Sequence, residues 1–163
     1  GVRVVNVYIP NGSAPDSPKF AYKLEFIRQL HSYLKQHHEA KELLVLTGDF
    51  NVAPEPRDVY DVDEMEGEIG FHPEERAVLA ELMGWGFEDV FRRHHKESGL
   101  DSWWDYRAGA FRRDMGLRID HIWVTMPLAD LSLESGMDKG QRSLGKPSDH
   151  IPVWAKFDYQ PDG

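Results

Sequence analysis

Cysteine is absent from this 163-residue sequence. That excludes disulfides and thiolate metal sites, and it fits a reducing cytoplasm. No apolar run approaches the roughly 18–20 residues a membrane span needs, and no signal-peptide pattern occurs, so nothing suggests insertion or export. An excess of positive charge is missing too: 19 Lys and Arg stand against 28 Asp and Glu, a net charge of −9. That balance is unfavourable for contact with a nucleic-acid backbone. Internal repeats and low-complexity segments are also lacking. What remains is 40% hydrophobic and 29% charged, in a chain the length of one globular domain able to bury a core.

The negative charge is unevenly placed. Residues 55–101 hold 14 Asp and Glu against 5 Lys and Arg, which accounts for the whole imbalance. Residues 102–147 are slightly basic, with Arg107, Arg112, Arg113 and Arg118 close together in sequence. Such a chain suits phosphate contact on one side only. Carboxylates gathered around a metal also lower the net charge without opposing an anion once the metal is bound.

Val2–Ile9 (VRVVNVYI) reads as a buried strand of β-branched residues. A domain rarely opens inside a core strand, so Gly1 reads as a cut or as the start of an incomplete chain. Ser17-Pro18 resembles an N-cap followed by a first-turn proline. Phe20, Leu24, Ile27, Leu30 and Leu34 then recur at helical spacing, predicting an amphipathic helix to about His38. Leu43–Thr47 is a second apolar strand. Pro73-Glu74-Glu75 opens a second helix, with Val78, Leu79, Leu82 and Met83 on its buried side and Gly84 and Gly86 ending it. Ser102–Tyr106 is expected as an aromatic strand, Ala108–Gly116 as a basic loop, and Leu117–Thr125 as one continuous strand. A short turn and a strand run to Met137, and Ile151–Phe157 closes the chain. His37-His38 and His94-His95 read as solvated surface pairs. The order of elements predicts an α/β fold.

The chemistry collects in three short stretches. TGDFN ends the second strand and places Asp49 and Asn51 on either side of Phe50. In an extended chain the two polar side chains share one face and Phe50 anchors the other. Such a pair can hold a water, a metal or a phosphoryl oxygen, although GDFN taken alone reads equally as a turn. Far downstream come RIDH, with Asp120, and PSDHIPVW, with Asp149 and His150.

Taken in order, with NVYIPNG upstream and SWWDYRAGAFRRDMGLRIDHI between, these motifs resemble the exonuclease III branch of the AP endonucleases, within the endonuclease/exonuclease/phosphatase superfamily. The resemblance implies a four-layer sandwich, two facing β-sheets with helices outside, of which this chain is the carboxyl-terminal part of a single domain. In that fold the closing strand would pair with an amino-terminal strand. The implied activity is metal-dependent phosphodiester hydrolysis on double-stranded DNA with abasic sites or 3′ ends, in a bacterial cytoplasm beside the nucleoid.

Roles follow by position. Asp49 would activate the attacking water, Asn51 and Tyr8 would contact the phosphate, and His150 would stabilise charge on the phosphoryl group. Asp120 would fix the His150 ring, and Asp149 would lie at a Mg²⁺ or Mn²⁺ site. Trp103, Leu117 and Ile119 would wall a pocket for a sugar lacking its base, with Arg107 beside it. Because side chains alternate along a strand, only one of Trp103 and Trp104 should face that pocket.

The family's principal metal-binding glutamate lies in an amino-terminal segment with no counterpart upstream of Tyr8. The isolated chain is therefore expected to have little or no activity, unless a dimer or a supplied segment rebuilds the site, and its exposed apolar surface and strand edges are expected to favour self-association or low stability. Two other readings stand beside this one. One is a superfamily phosphatase or phosphodiesterase for lipids or nucleotides, against which SWWDYR and RIDH argue. The other is a non-catalytic DNA-binding module, opposed by the joint presence of Asp49, Asn51, Asp120, Asp149 and His150.

Overall fold

A computed structural model describes residues 1–162. Strand β1 (Arg3–Tyr8) lies parallel to β2 (Leu44–Asp49), which pairs antiparallel with β6 (Asp120–Thr125), and β6 in turn with β3 (Phe87–Asp89). The crossover from β1 to β2 is helix α1 (Pro18–His37). It starts where the Ser17 hydroxyl accepts the Phe20 amide and stops at His38, whose extended backbone leaves the helical path. Helix α3 (Pro73–Met83) lies beside it. Together they cover one face of the sheet, burying Phe20, Ile27, Leu34, Leu79 and Leu82 against Leu44, Leu46, Phe50 and Trp123.

The other face is covered in part by a two-stranded antiparallel sheet, β7 (Ser132–Met137) with β8 (Val153–Phe157). A second apolar cluster fills the gap, with Val124, Leu128 and Ala129 packed against Val45, Ile122, Ala155 and Phe157. Three layers are therefore present among the described residues: helices, sheet, sheet. Short elements fill the remainder, namely α2 (Val62–Met65), α4 (Val90–His94) and α5 (Met126–Ala129). The last pair of strands, β4 (Trp103–Trp104) and β5 (Gly116–Leu117), forms a small antiparallel ladder at one end. No helix among the described residues is long and apolar enough to cross a membrane.

Four expectations need correction. Strand β1 is not buried: it is an edge strand, and Val4 is 64% exposed because only Val5 and Val7 reach the helix-side core. Arg118 is not part of a phosphate-facing basic patch. It is 1% exposed, bonded to Asp58 at 2.7 Å and to Asp89 at 2.5 Å, so its charge is consumed internally. The expected strand Leu117–Thr125 is split, since Gly116–Leu117 pairs with the tryptophan strand while Asp120–Thr125 joins the main sheet. Arg118 and Ile119 carry the chain from one to the other. His94 and His95 are not simply solvated: both are half-buried and tie α4 to β7, through the Ser132 hydroxyl and the Ser135 carbonyl, each at 2.6 Å.

Candidate active site

The site forms where β1, β2 and β6 end together. Tyr8, Asp49 and Asp120 are register partners across these three strands. Gly48 makes the junction possible. Its φ is +136°, and a Cβ there would lie 1.9 Å from the Val7 carbonyl oxygen, so no other residue lets β1 and β2 close this tightly. Phe50 turns into the core at 0% exposure, and its amide bonds the Ile119 carbonyl at 2.9 Å. The simple alternation expected of Asp49 and Asn51 does not hold, because Asn51 has a left-handed φ of 52°. The turn still brings both residues to the same cleft. Asp49 Oδ1 accepts the Asn51 amide at 2.9 Å, and Asn51 Nδ2 donates to the Ile9 carbonyl at 2.6 Å.

Beneath this turn lies a buried ion pair that the sequence reading missed. Lys23 and Glu75 are both 0% exposed and bonded to each other. Lys23 Nζ also donates to the Asn51 carbonyl at 2.7 Å and the Asn11 carbonyl at 3.0 Å. The other Glu75 oxygen accepts the Gly70 and His72 amides. One ammonium therefore holds three loops around the cleft floor. The signal was present in the sequence, since Lys23 falls on the apolar stripe of α1, between Phe20 and Leu24.

His150 arrives from the opposite side on a segment fastened to β4: the Trp104 amide bonds the Asp149 carbonyl, and the Ile151 amide bonds the Ser102 carbonyl. Its Nδ1 lies 2.8 Å from Asp120 Oδ2. Since an ionised carboxylate only accepts, Nδ1 carries the proton and Nε2 faces the cleft. There Nε2 stands 3.7 Å from Asp49 Oδ2 and 4.0 Å from Asp149 Oδ1. Burial alone would lower the His150 pKa, but the bond to Asp120 and the charges of Asp120, Asp49 and Asp149 outweigh it and raise it. Asp49 is pushed up to about 6, chiefly by burial and then by Asp120, against the opposing Asn51 bond, His150 and Lys23.

These groups open on a cleft of about 1060 Å³. Every residue nominated from the sequence lines it except Asp120, which stands behind His150. Trp103 forms part of the wall, and Trp104 is fully buried, as strand alternation requires. Trp103 does more than line the cleft, because its Nε1 donates to Asp149 Oδ2 at 3.1 Å. Leu117 and Ile119 are 6% and 5% exposed; they belong to a small apolar cluster and present only an edge to the opening. Arg107 is exposed at the rim with its guanidinium on Asp105.

Asp49, Asp120 and His150 each offer one ligand atom within 4.8 Å of the others. Asp120 Oδ2 is already engaged by His150 and by Ser102, and Asp49 Oδ1 by an amide. The atoms left toward the cleft include Asp49 Oδ2 and Asp149 Oδ1. Carboxylate oxygens suit a hard divalent cation, which commonly takes one or two of them and fills its shell with water and phosphate. The donor set therefore fits such an ion.

Residues 1–150 match the Endonuclease/Exonuclease/phosphatase family. The chain belongs to that family. It is 38% identical over 162 residues to the exodeoxyribonuclease III of Haemophilus influenzae, covering 94% of this chain and 61% of the relative. Among solved structures, an AP endonuclease from Archaeoglobus fulgidus matches with a TM-score of 0.91 at 38% identity, over 96% of this chain and 61% of that one. A 3′ phosphatase from Neisseria bound to a product DNA hairpin matches with a TM-score of 0.90 at 40% identity and the same coverage. The chain thus spans about three-fifths of the length of these relatives, and its three layers are part of their sandwich.

Proposed function

We propose that this chain carries the phosphodiester-cleaving centre of a DNA repair nuclease acting at abasic sites or 3′ ends, in a bacterial cytoplasm. The observation that supports it most is the convergence of Asp49, His150 and Asp149 on one cleft, with Asp120 fixing the histidine. In the reaction, water attacks the phosphorus as the bond to the departing sugar oxygen breaks. Asp49, made more basic by burial and by Asp120, takes the proton from that water. His150, whose cationic form the bond to Asp120 favours, faces the phosphoryl oxygens and offsets their growing charge. Asn51 has one amide hydrogen beyond its bond to Ile9, and Tyr8 presents its hydroxyl at the cleft mouth; both contact the phosphate. Mg²⁺ or Mn²⁺ held at Asp149 would supply charge neutralisation and help orient the phosphate.

Trp103, with the edges of Leu117 and Ile119, would receive a deoxyribose that lacks its base, the nucleotide most easily flipped from a duplex. Arg107 would meet the DNA backbone at the rim. The test is cleavage of an abasic-site duplex and a 3′-phosphate duplex in Mg²⁺ and in Mn²⁺. It is run with this chain alone and with the amino-terminal two-fifths of the Haemophilus relative supplied. Cleavage in either arm, abolished by Asp49→Asn and by His150→Ala with DNA binding retained, is expected. No cleavage in any arm, or cleavage that survives both substitutions, refutes the reading.

A further inference from the structure

The split between β5 and β6 leaves a local problem. The amides of Ile119 and Asp120 emerge where the chain leaves one ladder for another, in a region with little access to water. A single side chain answers both. Ser102 is fully buried, and its Oγ accepts the Ile119 amide and the Asp120 amide, each at 3.0 Å. A hydroxyl has two acceptor lone pairs and one proton. With both lone pairs occupied, the proton has one direction left, and Asp120 Oδ2 lies there at 2.8 Å. That oxygen also meets His150 Nδ1, at 2.8 Å.

We propose that Ser102 is a positioning residue of the phosphodiesterase centre: through its saturated hydroxyl it locks the Asp120 carboxylate in the rotamer that holds His150. The proposal rests on the function proposed above for its catalytic consequence, but not for its geometry. The backbone of Ser102 reinforces the arrangement, since its amide bonds the Leu117 carbonyl and its carbonyl receives the Ile151 amide. One residue therefore sets the spacing between the strand that supplies Asp120 and the segment that supplies His150. Without the hydroxyl, Asp120 keeps its bond to a histidine that is itself half-exposed, and nothing else among the described residues donates to Oδ2.

The variants are Ser102→Thr, which keeps the hydroxyl, and Ser102→Val, which has the same shape without it. Ser102→Ala serves as a smaller control. Three-bond couplings at Asp120, measured by NMR on the metal-free chain, report whether χ1 occupies one rotamer. One rotamer is expected in the wild type and in Ser102→Thr, and averaged couplings in Ser102→Val and Ser102→Ala. In the active arm of the cleavage assay, the hydroxyl-free variants should lose about 10–100-fold in kcat with KM little changed, the range found when groups supporting active-site ligands are removed. In an Asp120→Asn background they should lose nothing further in kcat, while any loss of melting temperature persists.

A hydroxyl-free variant that melts lower but keeps Asp120 in one rotamer overturns the proposal. So does a state of affairs in which Ser102→Thr folds and no hydroxyl-free variant does, because the hydroxyl is then structural. Absence of cleavage by the wild type would refute the proposed function and leave the coupling measurement to decide the role of Ser102.

Discussion

Replacing Lys23 by methionine keeps most of the side-chain volume and removes a charge with 0% exposure. The structure gives the size of the effect. Glu75 keeps two amide donors on one oxygen but loses the cation on the other, and the Asn11 and Asn51 carbonyls lose their shared donor. Breaking a buried pair from one side costs about 3–5 kcal/mol because the surviving charge stays buried. At 2–4 °C per kcal/mol for a chain of this size, the midpoint should fall by roughly 10 °C.

The double variant Lys23→Met/Glu75→Gln removes both charges, and the glutamine oxygen can still accept the Gly70 and His72 amides. Its remaining deficit is the two carbonyls, which the single variant leaves unpaired as well, and the buried glutamine NH2 beside them, at about 1–3 kcal/mol for each group left unpaired. It should therefore be more stable than the single variant despite carrying one more change. Urea unfolding with matched m-values is the assay. A Lys23→Met variant within 1 kcal/mol of wild type, or a double variant weaker than the single, would show that this pair does not organise the cleft floor.

Gly48→Ala should cost more than about 3 kcal/mol or prevent folding, since its Cβ meets backbone rather than a flexible side chain; a melting temperature near wild type would refute the close approach of β1 and β2. Asp101 is 5% exposed, and its pKa is pushed up to about 7, by burial first and then by Asp114. Between the unfolded value near 4 and the folded value the native state holds the extra proton, so stability falls as pH rises through that window, by roughly 2–4 kcal/mol. Asp101→Asn should flatten the curve and be the more stable protein at pH 8; parallel curves for the two proteins would refute the shift. In an active form, Trp103→Ala should lower cleavage at abasic sites more than removal of 3′-phosphates. Trp103→Phe keeps the wall but lacks the donor to Asp149, and should lower both alike. Equal losses from Ala accompanied by a lower melting temperature would make Trp103 a packing residue.

Much of this architecture was legible in the sequence because periodicity and caps are local. Helices α1 and α3 and strands β2 and β8 fall where the apolar spacing put them, within a residue or two. The cleft residues were legible by motif rather than by spacing, since nothing local tells Asp120 that His150 will come to it. What was not legible is long-range. Arg118 looked basic and free, but its two acids lie at positions 58 and 89. The continuous pattern of Leu117–Thr125 concealed a change of sheet, because each half keeps its apolar residues in either arrangement. Ser102 carries no periodic signal at all. Lys23 did carry one, a charge on an otherwise apolar stripe, and such an exception marks a buried partner elsewhere.

Asp49 and Asp120 face each other across an antiparallel pair. Like charges directly opposite destabilise a sheet. Hydrophobic burial elsewhere must carry that cost, and the fold would be easier to keep without it. Neutralising Asp49 as asparagine should therefore yield a protein that melts higher than the native one while losing its chemistry. Selection for thermal stability alone would move this chain away from its function, and its cleft marks where stability has been held below what the scaffold could reach.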